Sequence, residues 1–225
     1  METNTQFEIR QAEQRDAAEI ARLFLISSDG LATYIWRRLA GKGTTLEAVG
    51  AARYARTGTT FSYQNCLLAT LGEQIVGMVH AFEMPETDAE EPETDPVLAP
   101  YAALEDPGSL YISGLAVHAP FRSHGIGVAL LDCVEALAFT RALPRLSLIC
   151  FERNTRAVDF YQRVGFRVAD RRPIVPHPDL HYAEGDALLM TRSITGERAE
   201  GMSVRRRAVA DSHVGSTDTQ ITAED

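Results

Sequence analysis

Ile112-Ser-Gly-Leu-Ala-Val117-His-Ala-Pro-Phe-Arg122-Ser-His-Gly125-Ile-Gly127-Val-Ala-Leu-Leu131 is the stretch whose reading decides the fold. Its first part is an apolar strand, Leu110–Val117, and its last part opens a helix at a glycine pair. Ile126, Leu130, Cys133, Val134 and Leu137 keep helical spacing to about Leu143, where Pro144 stops the run. The first amides of a helix have no internal carbonyl partner and sit at the positive end of the helix dipole. Gly125 and Gly127 remove side chains where an anion would approach those amides, and Ser123 adds a hydroxyl donor. The segment therefore reads as a cradle for phosphate. It is not a P-loop, since no lysine follows Gly127. It is not a dinucleotide fingerprint either, since Leu130 stands at the third glycine position.

Around this unit the chain alternates strands and helices, an α/β pattern. Phe7–Arg10 is a strand. Asp16, with Glu19 three residues on, reads as a capped helix start, and Thr44 with Glu47 repeats the box for a helix over 45–54. Tyr34, Ile35 and Trp36 are expected to cover an edge of the core. Cys66–Leu71, the turn Gly72-Glu73-Gln74 and Ile75–Phe82 read as a hairpin. Arg145–Phe151 is a strand, Asn154 caps a helix through Val164, Gly165 ends it, and Phe166–Ala169 and Asp186–Arg192 close the sheet. Arg171-Arg172-Pro173 is expected to lead into a loop holding His177 and His181. The prolines on either side of His177 exclude the helix that would make this histidine pair a metal site. Residues 1–195 are thus read as one domain, and 196–225, which include Arg205-Arg206-Arg207, as a disordered tail.

Composition narrows the class. The 225 residues carry 22 Lys plus Arg against 31 Asp plus Glu, a net charge of −9 that disfavours a nucleic-acid binder. No apolar run reaches the roughly 20 residues of a membrane span. The polar opening Met1–Gln6 lacks a signal pattern, and three cysteines without CxxC spacing suit a reducing compartment, so a cytoplasmic protein is expected. Lys42 is the single lysine, a bias that fits a bacterial, GC-rich genome. Ten acids and no Lys or Arg fall between Thr57 and Phe121, and five of the ten prolines lie in Pro85–Pro107. The segment 84–108 accordingly reads as an acidic insertion loop, either simply solvated or an acidic rim that attracts a cation.

Two motifs now combine. Arg122-x-x-Gly125-x-Gly127 behind Leu115-Ala116-Val117, and Asn154-x-x-Ala157-x-x-Phe160-Tyr161-x-x-x-Gly165-Phe166, resemble the two signature blocks of the GNAT N-acetyltransferase superfamily, in the same order. The resemblance implies a mixed, strongly twisted sheet of about seven strands flanked by helices, with acetyl-CoA entering where Leu110–Val117 and Arg145–Phe151 part. It implies that Leu115, Ala116 and Val117 offer main-chain groups to the pantetheine arm. Arg122, Ser123, His124, Gly125, Ile126, Gly127 and Val128 would wrap the pyrophosphate. Asn154 would lie near the acetyl end, and Tyr161 beside the sulfur as the acid for the leaving thiolate. A main-chain N–H at a bulge near Val117 would bind the carbonyl oxygen. The implied activity is acetyl transfer to a primary amine, with a homodimer allowed; the acidic stretch makes the acceptor a small cationic molecule or a protein, and the residues suggest no metal. The alternative is a non-catalytic acyl-CoA sensor or interaction module.

Amide formation needs the amine unprotonated, so a base is required. The family's glutamate position on the strand before Asn154 is Ile149 here, and Leu110–Val117 holds no acid. Glu83, at the end of its strand, is the leading candidate base, with Tyr111 and His118 behind it.

Overall fold

The computed structural model describes residues 7–86 and 93–194. Its elements are β1 (Glu8–Gln11), α1 (Ala17–Ser27), α2 (Leu31–Leu39), α3 (Leu46–Tyr54), β2 (Cys66–Leu71), β3 (Gln74–Glu83), α4 (Ala99–Ala102), β4 (Leu110–Val117), α5 (Ile126–Thr140), β5 (Arg145–Phe151), α6 (Thr155–Arg163), β6 (Arg167–Pro173) and β7 (Asp186–Ser193). The strands form a seven-stranded mixed sheet in the order β1-β2-β3-β4-β5-β7-β6. Every neighbouring pair is antiparallel except β4 and β5.

That parallel pair organises the molecule. It is joined at Leu110↔Leu146, Tyr111↔Ser147 and Ile112↔Leu148 and no further. Beyond Ile112 the two strands run on without pairing each other, each keeping its other neighbour, β3 for β4 and β7 for β5. Within β4 the register against β3 slips between His80↔Gly114 and Ala81↔Ile112, leaving Ser113 as an extra, unpaired residue. Such a bulge bends its strand and re-aims side chains. The bulge therefore sits at Ser113, four residues before the Val117 position expected for it.

Both faces of the sheet are covered. On one, Ile126, Leu130, Leu131, Val134 and Ala138 of α5 pack on Leu110, Ile112, Leu146 and Leu148. On the other, Ile20, Leu23 and Phe24 of α1, Trp36 of α2 and Val49 and Tyr54 of α3 enclose Leu68, Met78 and Ala116. Burial at about 25 cal/mol per Å² makes these apolar layers the main source of stability. Trp36, expected at an edge, is 2% exposed on the inner face of α2. A third cluster joins Tyr34, Val97, Tyr101, Leu104, Phe151 and Ile174. It gives the acidic segment a packed portion, including the helical turn α4, that its proline content had argued against. Asp88, Glu90 and Glu91 of that segment lie outside the described residues, as does the expected tail 196–225.

Local signals misplaced several ends. Asp16 does precede α1, yet its side chain caps nothing there. Arg10 holds it at 2.7 and 2.9 Å, and it accepts from the Glu13 amide at 2.8 Å. Glu19 turns away to Arg22 and His118, both at 2.8 Å. Thr45, not Thr44, caps α3, accepting from Ala48 N–H at 3.2 Å. Helix α5 stops at Thr140, and Ala142 turns left-handed at φ 56° before Pro144 is reached. Arg171–Pro173 belong to β6, drawn into the sheet by pairing with Leu188, Ala187 and Asp186 of β7.

Candidate functional site

The gap between β4 and β5 opens into a cleft of 1210 Å³. Leu115, Ala116 and Val117 line it from β4, and Ile149, Cys150 and Phe151 from β5. Arg122, Ser123, Gly125, Ile126, Gly127 and Val128 line it from the loop into α5, and Asn154, Phe160 and Tyr161 from α6 and its cap. The two sequence motifs thus meet across one cavity.

The α5 entrance carries no side-chain cap on its first-turn amides. Gly125 precedes the helix in the left-handed region (φ 79°). A Cβ at Gly125 would meet nothing within 4 Å, so the space beside it is open; one at Gly127 would lie 3.2 Å from Phe160 Cζ. The first-turn amides are left facing the cleft with no helical acceptor. Arg122 donates through Nε to Val117 O at 2.8 Å, which ties the loop back to the strand end. Ser123 is itself left-handed at φ 68°. His124 does not line the cleft; it is exposed, with Nδ1 2.8 Å from Arg122 O.

Tyr161 is 9% exposed, packed against Phe160 and Phe166 with its ring centroid 5.3 and 5.6 Å from theirs. Burial pushes its phenol above the ordinary range, so the hydroxyl keeps its proton. Among the described residues no hydrogen bond reaches its Oη. Cys150, also in the cleft, is pushed up to about 12 by burial, which keeps it a thiol and not a nucleophilic thiolate.

Glu83 is not part of this site. Phe82 and Met84 on either side of it line the cleft, whereas Glu83 does not and its side chain is exposed. His118 is engaged by Glu19 at 2.8 Å. Tyr111 does line the cleft, with its phenol pushed upward by burial.

The carboxylate that the structure does bring in is Asp29. It sits between α1 and α2 in a left-handed conformation (φ 48°) and lines the cleft. Asn154 Nδ2 donates to its Oδ2 at 2.7 Å, and His181 Nδ1 is 3.6 Å from Oδ1. Asn154 also accepts from Ala157 N–H at 3.1 Å, so one side chain both caps α6 and holds Asp29. Desolvation raises the Asp29 carboxyl, and among the described residues no Arg or Lys pairs with it. Sequence reading passed over it because Ser27-Ser-Asp-Gly30 looks like an ordinary turn between helices. Of the acids in the insertion, Glu93 and Glu105 reach the cleft. Asp95 and Asp106 are neutralised by Arg38 and Arg145.

Among the described residues no group of three His, Cys, Asp or Glu side chains could hold a metal ion, and no helix is long and apolar enough to cross a membrane. His181 instead faces Asp29, and His177 lies 3.7 Å from Asp179.

Several solved structures share this fold. A crystal structure described only as an acetyltransferase is 19% identical, with TM-score 0.58, covering 84% of this chain and 100% of its own. An N-acetyltransferase from Staphylococcus aureus Mu50 is 19% identical, with TM-score 0.56, covering 82% and 100%. The protein yncA from Salmonella typhimurium, solved with its cofactor acetyl-CoA, is 14% identical, with TM-score 0.54, covering 84% and 95%. No curated protein matches the sequence. The family model described as Acetyltransferase (GNAT) family matches residues 32–166, which run from α2 to the residue before β6, so the parted strands, the uncapped α5 entrance and the Asn154–Tyr161 segment all fall inside it, and the chain belongs to that family.

Proposed function

We propose that the protein transfers the acetyl group of acetyl-CoA to a primary amine on a cationic acceptor. The observation that carries this reading is the cleft itself, with an uncapped helix entrance at one end and a protonated, buried phenol deep inside. The α5 first-turn amides and the space beside Gly125 suit a pyrophosphate. The unpaired edges of β4 and β5 suit an extended amide-bearing arm. Tyr161 would then supply a proton to the departing thiolate, whose thiol has an ordinary pKa near about 8.5.

Asp29 supports the cationic acceptor. A largely enclosed carboxylate that, among the described residues, has no arginine or lysine in an ion pair with it attracts a positive charge; Glu93 and Glu105 line the same cleft, as do Arg53, Arg122, Arg156 and Arg163. Asp29 holds the acceptor; it does not favour loss of the amine proton, because a neighbouring anion stabilises an ammonium.

The test is thiol release from acetyl-CoA in the presence of an amine panel containing polyamines, aminoglycoside-type cations and peptides with free N-termini. Release that depends on a cationic amine, with an acetyl amide as product, is the expected result. Binding of CoA without turnover of any amine would overturn acetyl transfer in favour of an acyl-CoA sensor.

A further inference from the structure

His80, in the middle of β3, is 0% exposed and ringed by Phe24, Tyr54, Phe61 and Phe82. Its Nε2 lies 3.0 Å from the main-chain oxygen of Thr60, and its Nδ1 lies 2.5 Å from Ser113 Oγ. A carbonyl oxygen only accepts, so Nε2 carries the hydrogen. Burial pushes the imidazole down to about 4, so the ring is neutral and Nδ1 is a bare lone pair. Ser113 must then donate its single hydroxyl hydrogen to Nδ1. Tyr54 Oη, at 3.3 Å, is a second and longer donor to the same atom, and Tyr54 does not line the cleft.

Ser113 does line it. It is the bulged residue of β4, one position beyond Ile112↔Leu148, the last pair before the strands part. With its hydrogen committed to His80, the serine oxygen can only accept from the cleft, and an amine N–H is a donor. A hydroxyl backed by an oriented imidazole is also the arrangement that moves protons in nucleophilic catalysis.

We propose that Ser113 accepts the N–H of the attacking amine and relays its proton to His80, a role that rests on the acetyl-transfer reading of the cleft. As the C–N bond forms, the amine proton passes to Ser113 Oγ and the serine's own proton to His80 Nδ1. The C–S bond breaks with its electron pair on sulfur, and the thiolate takes the Tyr161 proton. When products leave, the imidazolium returns its proton through Ser113 and the phenolate regains one from solvent. The relay acts on the neutral amine, left after the acceptor ammonium gives its first proton to solvent, so the net change is ammonium plus thioester to amide, thiol and one released proton. The relay takes the second of the acceptor's two protons, the one shed as the C–N bond forms.

The experiment compares the wild type with Ser113→Ala and His80→Gln, using CoA calorimetry, thermal melts, amine kinetics and ¹⁵N imidazole spectra. Ser113→Ala is expected to lower kcat about 100-fold with CoA affinity unchanged and amine KM within a few-fold. His80→Gln, whose side-chain oxygen still accepts from Ser113, is expected to lower kcat by a similar factor and leave KM nearly unchanged. The spectra are expected to show His80 protonated at Nε2, with Nδ1 perturbed by Ser113→Ala. The relay is overturned by a Ser113→Ala enzyme within threefold of wild-type kcat, by a proton on Nδ1, or by an acetyl adduct on Ser113. A wild type that binds CoA and acetylates no amine ends the acetyl-transfer reading and the relay together. An active wild type with an unimpaired Ser113→Ala variant ends the relay alone.

Discussion

Asn154 Nδ2 donates to Asp29 Oδ2 at 2.7 Å, joining residues 125 positions apart. The bond links the loop between the first two helices to the cap of α6, and it does so inside the cleft. It fixes the one largely enclosed acid that faces the proposed acceptor.

Asp29→Asn should therefore raise KM for a cationic acceptor about tenfold, the loss of roughly 1.4 kcal/mol of attraction, with CoA affinity unchanged. The same change should raise thermal stability at neutral pH. Burial raises the Asp29 carboxyl in the folded protein, so its effect on folding is harmless at low pH, where both states are protonated. The penalty develops as pH rises from the unfolded value, about 3.9, towards the raised folded one, the window in which the unfolded state has ionised while the folded state still holds its proton, and it is complete above both. Melts from pH 3 to 8 check this: the variant should gain on the wild type as pH rises and match it at the acid end. A variant that is less stable at pH 7 would refute the assignment.

Gly125→Ala addresses the cradle. A left-handed φ of 79° strains a residue with a Cβ by about 1–2 kcal/mol, and the methyl group would enter space that is open beside the α5 amides. CoA binding should weaken at least tenfold, while the melting temperature falls by only a few degrees. Calorimetry with CoA and with dephosphorylated pantetheine separates the two effects. Loss of affinity for CoA but not for pantetheine would locate the defect at the pyrophosphate.

These residues differ in how far the sequence revealed them. Gly125, Gly127, Asn154 and Tyr161 announce themselves because their spacing along one helix entrance or one helix face is local information. The strands announce themselves for the same reason, and Cys66–Leu71 and Arg145–Phe151 need no adjustment. Asp29, Ser113 and His80 do not, since each acquires its meaning from a partner on another element, 125 positions away for Asp29 and 33 for the His80–Ser113 pair. Ser113-Gly114 within an apolar strand is the kind of interruption that marks a bulge, yet the histidine behind it is visible only once β3 and β4 are paired. Glu83 is the opposite case: its type suits the chemistry, but it is exposed while its strand neighbours Phe82 and Met84 line the cleft.

Glu135→Ala tests the scaffold rather than the cleft. Glu135 on α5 and Arg192 on β7 meet at 2.9 Å with side chains 4% and 7% exposed. Arg192 also donates to Val164 O at 2.8 Å, at the end of α6, and stacks over Phe166. Removing the acid takes the Glu135 carboxylate away from a buried guanidinium, a change that costs about 3–5 kcal/mol in comparable sites. Denaturant titration should show that loss. A cost under about 1 kcal/mol would mean the arginine finds water or another acceptor.

Tyr161→Phe separates the phenol's chemistry from its packing. The ring contacts with Phe160 and Phe166 survive the substitution, and no hydrogen bond among the described residues is lost, so stability should stay within about 0.5 kcal/mol of wild type. If the phenol protonates the thiolate, kcat should fall about 100-fold with KM for both substrates nearly unchanged, the pattern of an interaction made only in the transition state. The loss should shrink with an acyl donor whose thiol is more acidic, because such a thiolate leaves without a proton. A uniform loss across donors of different thiol acidity would make Tyr161 a wall of the cleft and nothing more.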